Sequence, residues 1–149
     1  MGLPRMTPGI TRAGQGEGGV CWNILGQVYR PLQCSPSSFA YRTELPPGTF
    51  MPPHRHEAQD EFILPEAGEL ELYLEGQTLF AGPGDLVRLP AGVAHGLYNR
   101  GGETVRALCW VAPSRGLYAL FCALHGVGDP SLVAHIAAGH GVEFLEPPL

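Results

Sequence analysis

Residues 48–68 read GTFMPPHRHEAQDEFILPEAG, and residues 84–99 read GDLVRLPAGVAHGLYN. In the first stretch His54 and His56 are two positions apart. An extended strand therefore places both imidazoles on one face and Arg55 on the other. The two prolines just before His54 stiffen the approach to this pair. The first stretch thus predicts a strand that holds two imidazole rings at a fixed geometry.

A carboxylate and a third imidazole lie near this pair in sequence. Glu61 follows His56 by five residues, and His95 lies 39 residues beyond His56 in another predicted strand. Three imidazoles and one carboxylate form a mixed donor set that suits a divalent transition metal such as Fe, Mn, Ni, Cu or Zn. Each residue alone also has a simpler interpretation: a surface His-x-His pair, a solvated glutamate, or a hydrogen-bonded core histidine.

Glycine and proline recur at fixed distances around these four residues. The first stretch has the pattern G-x5-H-x-H-x4-E-x6-G from Gly48, and the second has G-x5-P-x-G-x2-H-x3-N from Gly84. The two patterns resemble, position for position, the two signature motifs of the cupin family. The fifteen residues between them are similar in length to the short inter-motif loop of small microbial cupins.

The resemblance implies an all-β fold, a small antiparallel cupin barrel (double-stranded β-helix or jelly roll) that is open at one end and holds a metal inside. It implies four metal ligands, namely His54, His56, Glu61 and His95. The other positions of the patterns would shape turns and strand ends: Gly48, Gly68, Gly84, Pro90, Gly92 and Asn99. The ending Phe144-Leu-Glu-Pro-Pro is similar to that of small bacterial cupins grouped with quercetin 2,3-dioxygenases.

Composition narrows the range of functions. The chain has 149 residues, enough for one domain with a substantial core, and 44% of them are hydrophobic. Glycine and proline make up 36 residues, which indicates many turns. All nine basic residues are arginine, which excludes lysine Schiff-base chemistry and lysine-containing phosphate loops. A net charge of −5 without a basic run argues against nucleic-acid binding.

Location and redox state also follow from simple patterns. No run of 18 apolar residues exists, and the first twenty residues lack the apolar stretch of a secretory signal. We therefore expect no membrane contact and a cytoplasmic location. The four cysteines contain no Cys-x-x-Cys pair, which predicts buried free thiols.

We predict a single domain, residues 1–149, with three parts: a loose arm at 1–19, the barrel at 20–112 and a helical tail at 113–149. The alternation of Leu70, Leu72 and Leu74 predicts a strand with one buried face. The other predicted strands are Ser38–Glu44, Glu61–Leu64, Asp85–Leu89, Ala94–Asn99 and Val105–Val111.

The tail changes to helical periodicity. The apolar spacing i, i+3, i+4, i+7 predicts one amphipathic helix, with Leu117, Leu120, Phe121 and Leu124 on its buried face. A second helix is predicted to begin with Asp129 as N-cap and Pro130 at its first position, and to end near Gly139. Its predicted buried face holds Leu132, Val133 and Ile136. The tail histidines His125, His135 and His140 are interpreted as surface or capping residues.

Strand alternation also predicts what surrounds the metal. Ile63 would share the face of Glu61, and Leu97 and Asn99 that of His95, whereas Arg55 and Arg88 would point outward. Four aromatic residues are candidate neighbours, namely Tyr41, Phe50, Phe62 and Trp110. Each of these side chains has an ordinary core position as its alternative. The pattern favours an apolar or aromatic small-molecule substrate.

Three functional hypotheses follow. The first is a quercetinase-like dioxygenase that cleaves a small oxygenated aromatic or enol substrate, with Glu61 as both ligand and catalytic base. The second is a lyase, isomerase or hydrolase that uses the metal only as a Lewis acid. The third is a non-catalytic cupin that binds a small ligand. The resemblance also implies a homodimer. Ligand histidines must be neutral, so we expect metal loss below about pH 6.

Overall fold

The structure, a computed structural model, describes residues 5–145. The strands are β1 (Trp22–Ile24), β2 (Gln27–Cys34), β3 (Phe39–Leu45), β4 (Phe50–His56), β5 (Asp60–Ala67), β6 (Leu70–Leu74), β7 (Gln77–Ala81), β8 (Val87–Leu89), β9 (His95–Tyr98), β10 (Val105–Ala112) and β11 (Val142–Phe144). The α-helices are α1 (Leu117–Leu124) and α2 (Pro130–Ala138), and a 3-10 turn lies at Glu17–Gly19.

Two antiparallel sheets make up the body of the molecule. The first has the order β1-β2-β3-β10-β5-β8, and the second has the order β11-β4-β9-β6-β7. Alternate side chains of each sheet are buried between them; in β3, for example, Phe39, Tyr41, Thr43 and Leu45 are buried and the residues between them are half-buried. The all-β, jelly-roll fold class predicted from the sequence is confirmed, with two short helices near the C-terminus.

All seven predicted strands are present, including β4 with its histidine pair, and the strand ends that were predicted are shifted by at most three residues. Four further strands were not predicted: β1, β2, β7 and β11. In β7 the first four residues are exposed, so no alternation marks it. β11 has three residues inside the predicted helical tail and is held by pairing with β4, a partner nearly ninety positions away.

Helix α1 covers one opening between the sheets. Its predicted apolar face is confirmed, since Leu117, Leu120, Phe121 and Leu124 are all buried. The Phe121 ring lies 4.9 Å from the ring of Tyr29 and 5.1 Å from that of Tyr41, measured between centroids. The helix therefore closes the space between β2, β3 and the second sheet by aromatic packing.

Helix α2 begins and ends as predicted. The Asp129 side chain accepts a hydrogen bond from the Ser131 amide at 3.0 Å, Pro130 is the first helical residue, and Gly139 is the C-cap. The predicted buried face is partly wrong. Val133 is fully buried, but Leu132 is 44% exposed, because Ala137 instead faces the protein interior.

The cysteine prediction is half correct. All four cysteines are free, and Cys34 and Cys109 are buried. Cys21 and Cys122 are exposed, because Cys21 lies just before β1 and Cys122 lies on the outer face of α1. No helix within residues 5–145 is long and apolar enough to cross a membrane.

The N-terminal and C-terminal parts are described only in part. In the predicted arm, the Thr11 hydroxyl donates a hydrogen bond to the Leu32 carbonyl at 2.7 Å, so this part of the arm lies on β2. Residues 1–4, and the last four residues of the chain (146–149), which include most of the Phe144-Leu-Glu-Pro-Pro ending, lie outside the described residues.

Gly68, in the turn between β5 and β6, offers a test of the turn geometry. Its φ is +76°, and an added Cβ would lie 2.9 Å from the Thr104 carbonyl oxygen. Gly48 has a similar φ of +82° with no atom within 4 Å of the added Cβ. We expect Gly48→Ala to lower the free energy of unfolding by about 1–2 kcal/mol, the cost of left-handed backbone, and Gly68→Ala to lower it by more. Equal losses in urea unfolding would contradict the steric argument.

Candidate metal centre

The histidine pair lies on β4 as the alternation predicts. His54 and His56 are both buried, whereas Arg55 points outward and forms an ion pair with Glu143 of β11 at 3.1 Å. The neighbouring strand β9 places His95 directly opposite His54 in the ladder. The second sheet therefore supplies three imidazoles to one point of the interior.

The carboxylate comes from the other sheet. Glu61 is on β5, and its side chain crosses the interior toward the imidazoles. One ligand atom from each of the four predicted residues lies within 4.8 Å of all the others. The Glu61 Oε2 atom is 2.9 Å from His95 Nε2 and 3.3 Å from His56 Nε2. The structure thus brings all four residues together, and their exposed fractions are between 1% and 6%.

Three of these polar atoms are buried without a hydrogen-bond partner: His56 Nε2, His95 Nε2 and Glu61 Oε2. Their mutual distances are short, but the geometry forms no hydrogen bond. Leaving buried polar atoms unpaired costs about 1–3 kcal/mol each. A cation at the point where they converge would satisfy all of them, so the donor set fits a divalent metal.

In His54 and His95, the ring nitrogen Nδ1 is hydrogen-bonded to a backbone carbonyl, and this determines which nitrogen carries the proton. His54 Nδ1 lies 2.7 Å from the Pro52 carbonyl oxygen, and His95 Nδ1 lies 3.2 Å from that of Val93. A carbonyl oxygen only accepts, so each Nδ1 carries the proton and each Nε2 presents a lone pair. Hydrogen bonds of this kind fix the tautomer of metal-binding histidines.

The Nδ1 atom of His56 is hydrogen-bonded to a side chain instead of a backbone carbonyl. Its Nδ1 lies 2.6 Å from Gln59 Oε1, and Gln59 is itself 5% exposed. Sequence reasoning missed Gln59, because a glutamine three residues after a histidine has no distinctive signal. Only the fold shows that the segment after β4 turns this amide inward.

Burial and mutual contact shift the pKa values of the cluster. Burial lowers the pKa of His54 well below its ordinary value, and the neighbouring rings of His95 and His56 lower it further. Burial alone would raise the pKa of Glu61, but the facing His56 and His95 rings hold it well below the ordinary value. His54 is therefore neutral and Glu61 ionised at neutral pH, which are the states that bind a metal.

His56 differs from His54. Burial alone would lower its pKa, but the adjacent Glu61 carboxylate and the Gln59 acceptor raise the pKa of His56 above its ordinary value. Within the cluster, this imidazole therefore keeps a proton to a higher pH than His54 does.

A small apolar cavity adjoins the cluster. Its volume is about 40 Å³. Tyr41 lies on its wall and donates its hydroxyl to Glu61 Oε1 at 3.1 Å. Burial and the Glu61 charge raise the pKa of Tyr41 well above its ordinary value, so the phenol keeps its proton. The rest of the wall is mostly apolar and includes Met51, Leu97, Cys109, Leu117, Leu120, Phe121, Leu124, Val142 and Phe144.

The predicted neighbours of the metal are partly correct. Tyr41 and Leu97 line the cavity, and Ile63 is buried on the face of Glu61. Phe62 and Trp110 instead stack on each other, with ring centroids 5.1 Å apart, on the outer face of the first sheet.

Phe50 also lies outside the cavity. It is 43% exposed and stacks on Tyr98. Asn99 holds the turn after β9, donating to the Leu45 and Glu103 carbonyls. Arg88 is exposed as predicted.

The tail histidines lie outside the cluster. His125 Nδ1 accepts a hydrogen bond from the Asn23 amide at 3.0 Å, and His140 Nδ1 donates to the Ile136 carbonyl at 2.9 Å. His135 is exposed on α2. These contacts agree with the surface or capping roles predicted for them.

Comparison with known proteins identifies the fold. Residues 41–111 match the family model Cupin_2, described as a cupin domain, over slightly less than half of the chain. No curated protein matches the sequence. An RmlC-like cupin from Shewanella frigidimarina NCIMB 400 superposes with a TM-score of 0.68 at 16% identity, covering 77% of this chain and 99% of that one.

Two further solved structures are similar. KdgF from Halomonas sp. has a TM-score of 0.60 at 22% identity, covering 66% of this chain and 92% of that one. The protein TT1209 from Thermus thermophilus has a TM-score of 0.56 at 25% identity, covering 59% and 84%. The chain therefore has the cupin fold, and the segment that matches the cupin domain model contains a candidate four-residue metal site.

Proposed function

We propose that this protein is a metal-dependent dioxygenase that acts on a small oxygenated enol or aromatic substrate. His54, His56, Glu61 and His95 would hold one Fe, Mn, Ni, Cu or Zn ion. The observation that carries the proposal is the convergence of buried, unpartnered Nε2 and carboxylate atoms beside an apolar cavity. A bound redox-active metal would supply an open coordination position for O2 or for a chelating substrate.

Glu61 has a second role in this proposal. The carboxylate is ionised, so it can take the proton of a substrate hydroxyl that enters the cavity. The Tyr41 hydroxyl donates to the other carboxylate oxygen and holds Glu61 in place while the proton moves. Because the Tyr41 pKa is raised, the phenol does not compete with the substrate as a proton source.

The cavity supports a compact and uncharged substrate. A volume of about 40 Å³ is small beside the about 300–1,000 Å³ of pockets that hold drug-sized ligands. The only charged wall residue among those described is Glu61, apart from the histidines. This space favours a small enol or diketone over a flavonol, which would need α1 to move away. The leucines of α1 would keep bulk water out during the reaction.

The proposed chemistry is tested first by metal content and O2 uptake. Protein purified without added metal should contain a redox-active metal and consume O2 with a compact enol or diketone. His54→Ala should lose metal affinity by on the order of 100-fold, together with O2 uptake, because the site loses one of four ligands. His135→Ala, an exposed histidine on α2, is the matched control and should behave as wild type.

Other results would overturn the oxygenase. Zinc as the native metal, with turnover retained without O2, would favour the lyase, isomerase or hydrolase hypothesis. A metabolite that raises the melting temperature of metal-loaded protein without turnover would favour a small-ligand binder. The homodimer and the cytoplasmic location stay predictions.

A substitution on α1 tests whether the size of the cavity limits which substrates react. Leu124 is buried against the cavity, and Leu124→Ala removes three carbon atoms from the wall. We expect the ratio of kcat/KM for a longer diketone to that for a compact one to rise by about tenfold or more. The exposed Cys122→Ala on the same helix is the control. An unchanged ratio would show that this wall does not select substrates.

The pH dependence of metal affinity follows from His56. Its raised pKa means that His56 keeps a proton to a higher pH than an ordinary histidine, and a metal must displace that proton. We therefore expect affinity to fall as pH decreases through that pKa, with onset above the value of about 6 expected from ordinary histidines. Zn²⁺ titration in weak buffer with a pH indicator should detect proton release at pH 7. Constant affinity between pH 7.5 and 5.5 would contradict this prediction.

A further inference from the structure

Gln59 connects a candidate metal ligand to the segment that leads into α1. Its Oε1 atom lies 2.6 Å from His56 Nδ1. Its Nε2 atom donates to the carbonyl oxygens of Pro113 at 2.9 Å and Ser114 at 3.0 Å. These contacts span 54 and 55 positions of sequence, so one buried side chain joins the end of β4 to the end of β10.

The orientation of this amide is fixed by its partners. Two carbonyl oxygens can only accept, so the NH2 group of Gln59 must face Pro113 and Ser114. The amide oxygen then faces His56, which must carry its proton on Nδ1. Every polar atom of the Gln59 side chain is therefore paired in one arrangement, and reversing the amide would break both hydrogen bonds to the carbonyls.

Ser114 carries the connection into the helix. Its carbonyl also accepts from the Leu117 amide at 3.3 Å, in the first turn of α1. Ser114 is fully buried, and both its amide and its hydroxyl donate to the Pro36 carbonyl at 3.2 Å. The start of α1 is thus held where Gln59 reaches it, and the buried face of α1 forms one wall of the cavity.

We propose that Gln59 is a positioning residue with two tasks: it fixes the tautomer and orientation of His56 for the metal, and it couples metal loading to the seating of α1 over the cavity. The proposal rests on the metal site of the proposed function. A metal that immobilises His56 also immobilises Gln59 and the Ser114 carbonyl. By thermodynamic reciprocity, a well-seated α1 then raises metal affinity.

Two substitutions separate the tasks. Gln59→Glu keeps an oxygen acceptor for His56 Nδ1 but faces the Pro113 and Ser114 carbonyls with an oxygen instead of a donor. Gln59→Met has a similar length and removes both functions. Gln77, exposed on β7, provides matched controls as Gln77→Glu and Gln77→Met.

Trp22 reports the seating of α1. Its ring lies 5.1 Å from that of Tyr118 and 5.5 Å from that of Phe121, both on α1, and it is 4% exposed. The other tryptophan, Trp110, lies on the outer face of the first sheet, so Trp110→Phe leaves Trp22 as the single tryptophan, which can be excited selectively over the tyrosines. Acrylamide quenching in this background measures access to the space under α1.

The experiment measures Zn²⁺ affinity by competition with a chelating dye, and Trp22 quenching with and without Zn²⁺. We expect Gln59→Met to weaken Zn²⁺ binding about 10–100-fold, the usual effect of losing a partner of a ligating histidine. Gln59→Glu should bind Zn²⁺ at least as tightly as wild type. Zn²⁺ should reduce Trp22 quenching in wild type and in both Gln77 variants, but not in either Gln59 variant.

The possible outcomes distinguish failure of the proposed metal function from failure of the role proposed for Gln59. A wild-type protein that binds no Zn²⁺ would remove the proposed metal function itself. Zn²⁺ binding in wild type with unchanged affinity in Gln59→Met would overturn the positioning role. If Gln59→Met does not fold, Gln59→Glu still tests the coupling, because wild-type quenching and a wild-type response to Zn²⁺ in that variant would overturn it.

Discussion

The structure depends on one buried arrangement, in which the Glu61 carboxylate from one sheet faces imidazole lone pairs from the other. His95 Nε2 is 2.9 Å from Glu61 Oε2, yet neither atom has a hydrogen-bond partner. Polar atoms left unpaired in a low-dielectric interior are costly unless a cation lies between them. The same arrangement that makes the empty core costly is a donor set that suits a divalent cation.

The strand ladders produce this arrangement. Alternation along β4 brings His54 and His56 to one face, and the β4–β9 register sets His95 opposite His54. Across the interior, β10 places Val111 beside Glu61 and Cys109 beside Tyr41, so the carboxylate and its phenol partner lie in adjacent layers. A shift of one residue in either ladder would turn these groups to the outer face. The site geometry is therefore a consequence of register.

Local patterns in the sequence were enough to predict the four clustered residues, the alternating strands and the apolar face of α1. They worked because a two-residue or seven-residue spacing determines which side chains share a face. Gln59 and β11 could not be predicted in this way. Gln59 acquires its role from carbonyls 54 and 55 positions away, and β11 exists because its three residues pair with β4. Leu132 was misplaced because the period alone does not say which side of α2 meets the sheets.

The candidate ligands and much of the cavity wall come from different parts of the chain. The cupin domain match ends at residue 111, and it contains all four candidate ligands. Much of the cavity wall lies beyond that point, with four residues of α1 and two of β11. Because β11 pairs with β4 at His54 and His56, the wall and the ligands touch directly, and Phe144 lies 5.0 Å from the His54 ring. The four clustered residues therefore lie within the segment that matches the cupin domain model, whereas α1 and β11, which lie beyond it, supply six of the cavity-lining residues.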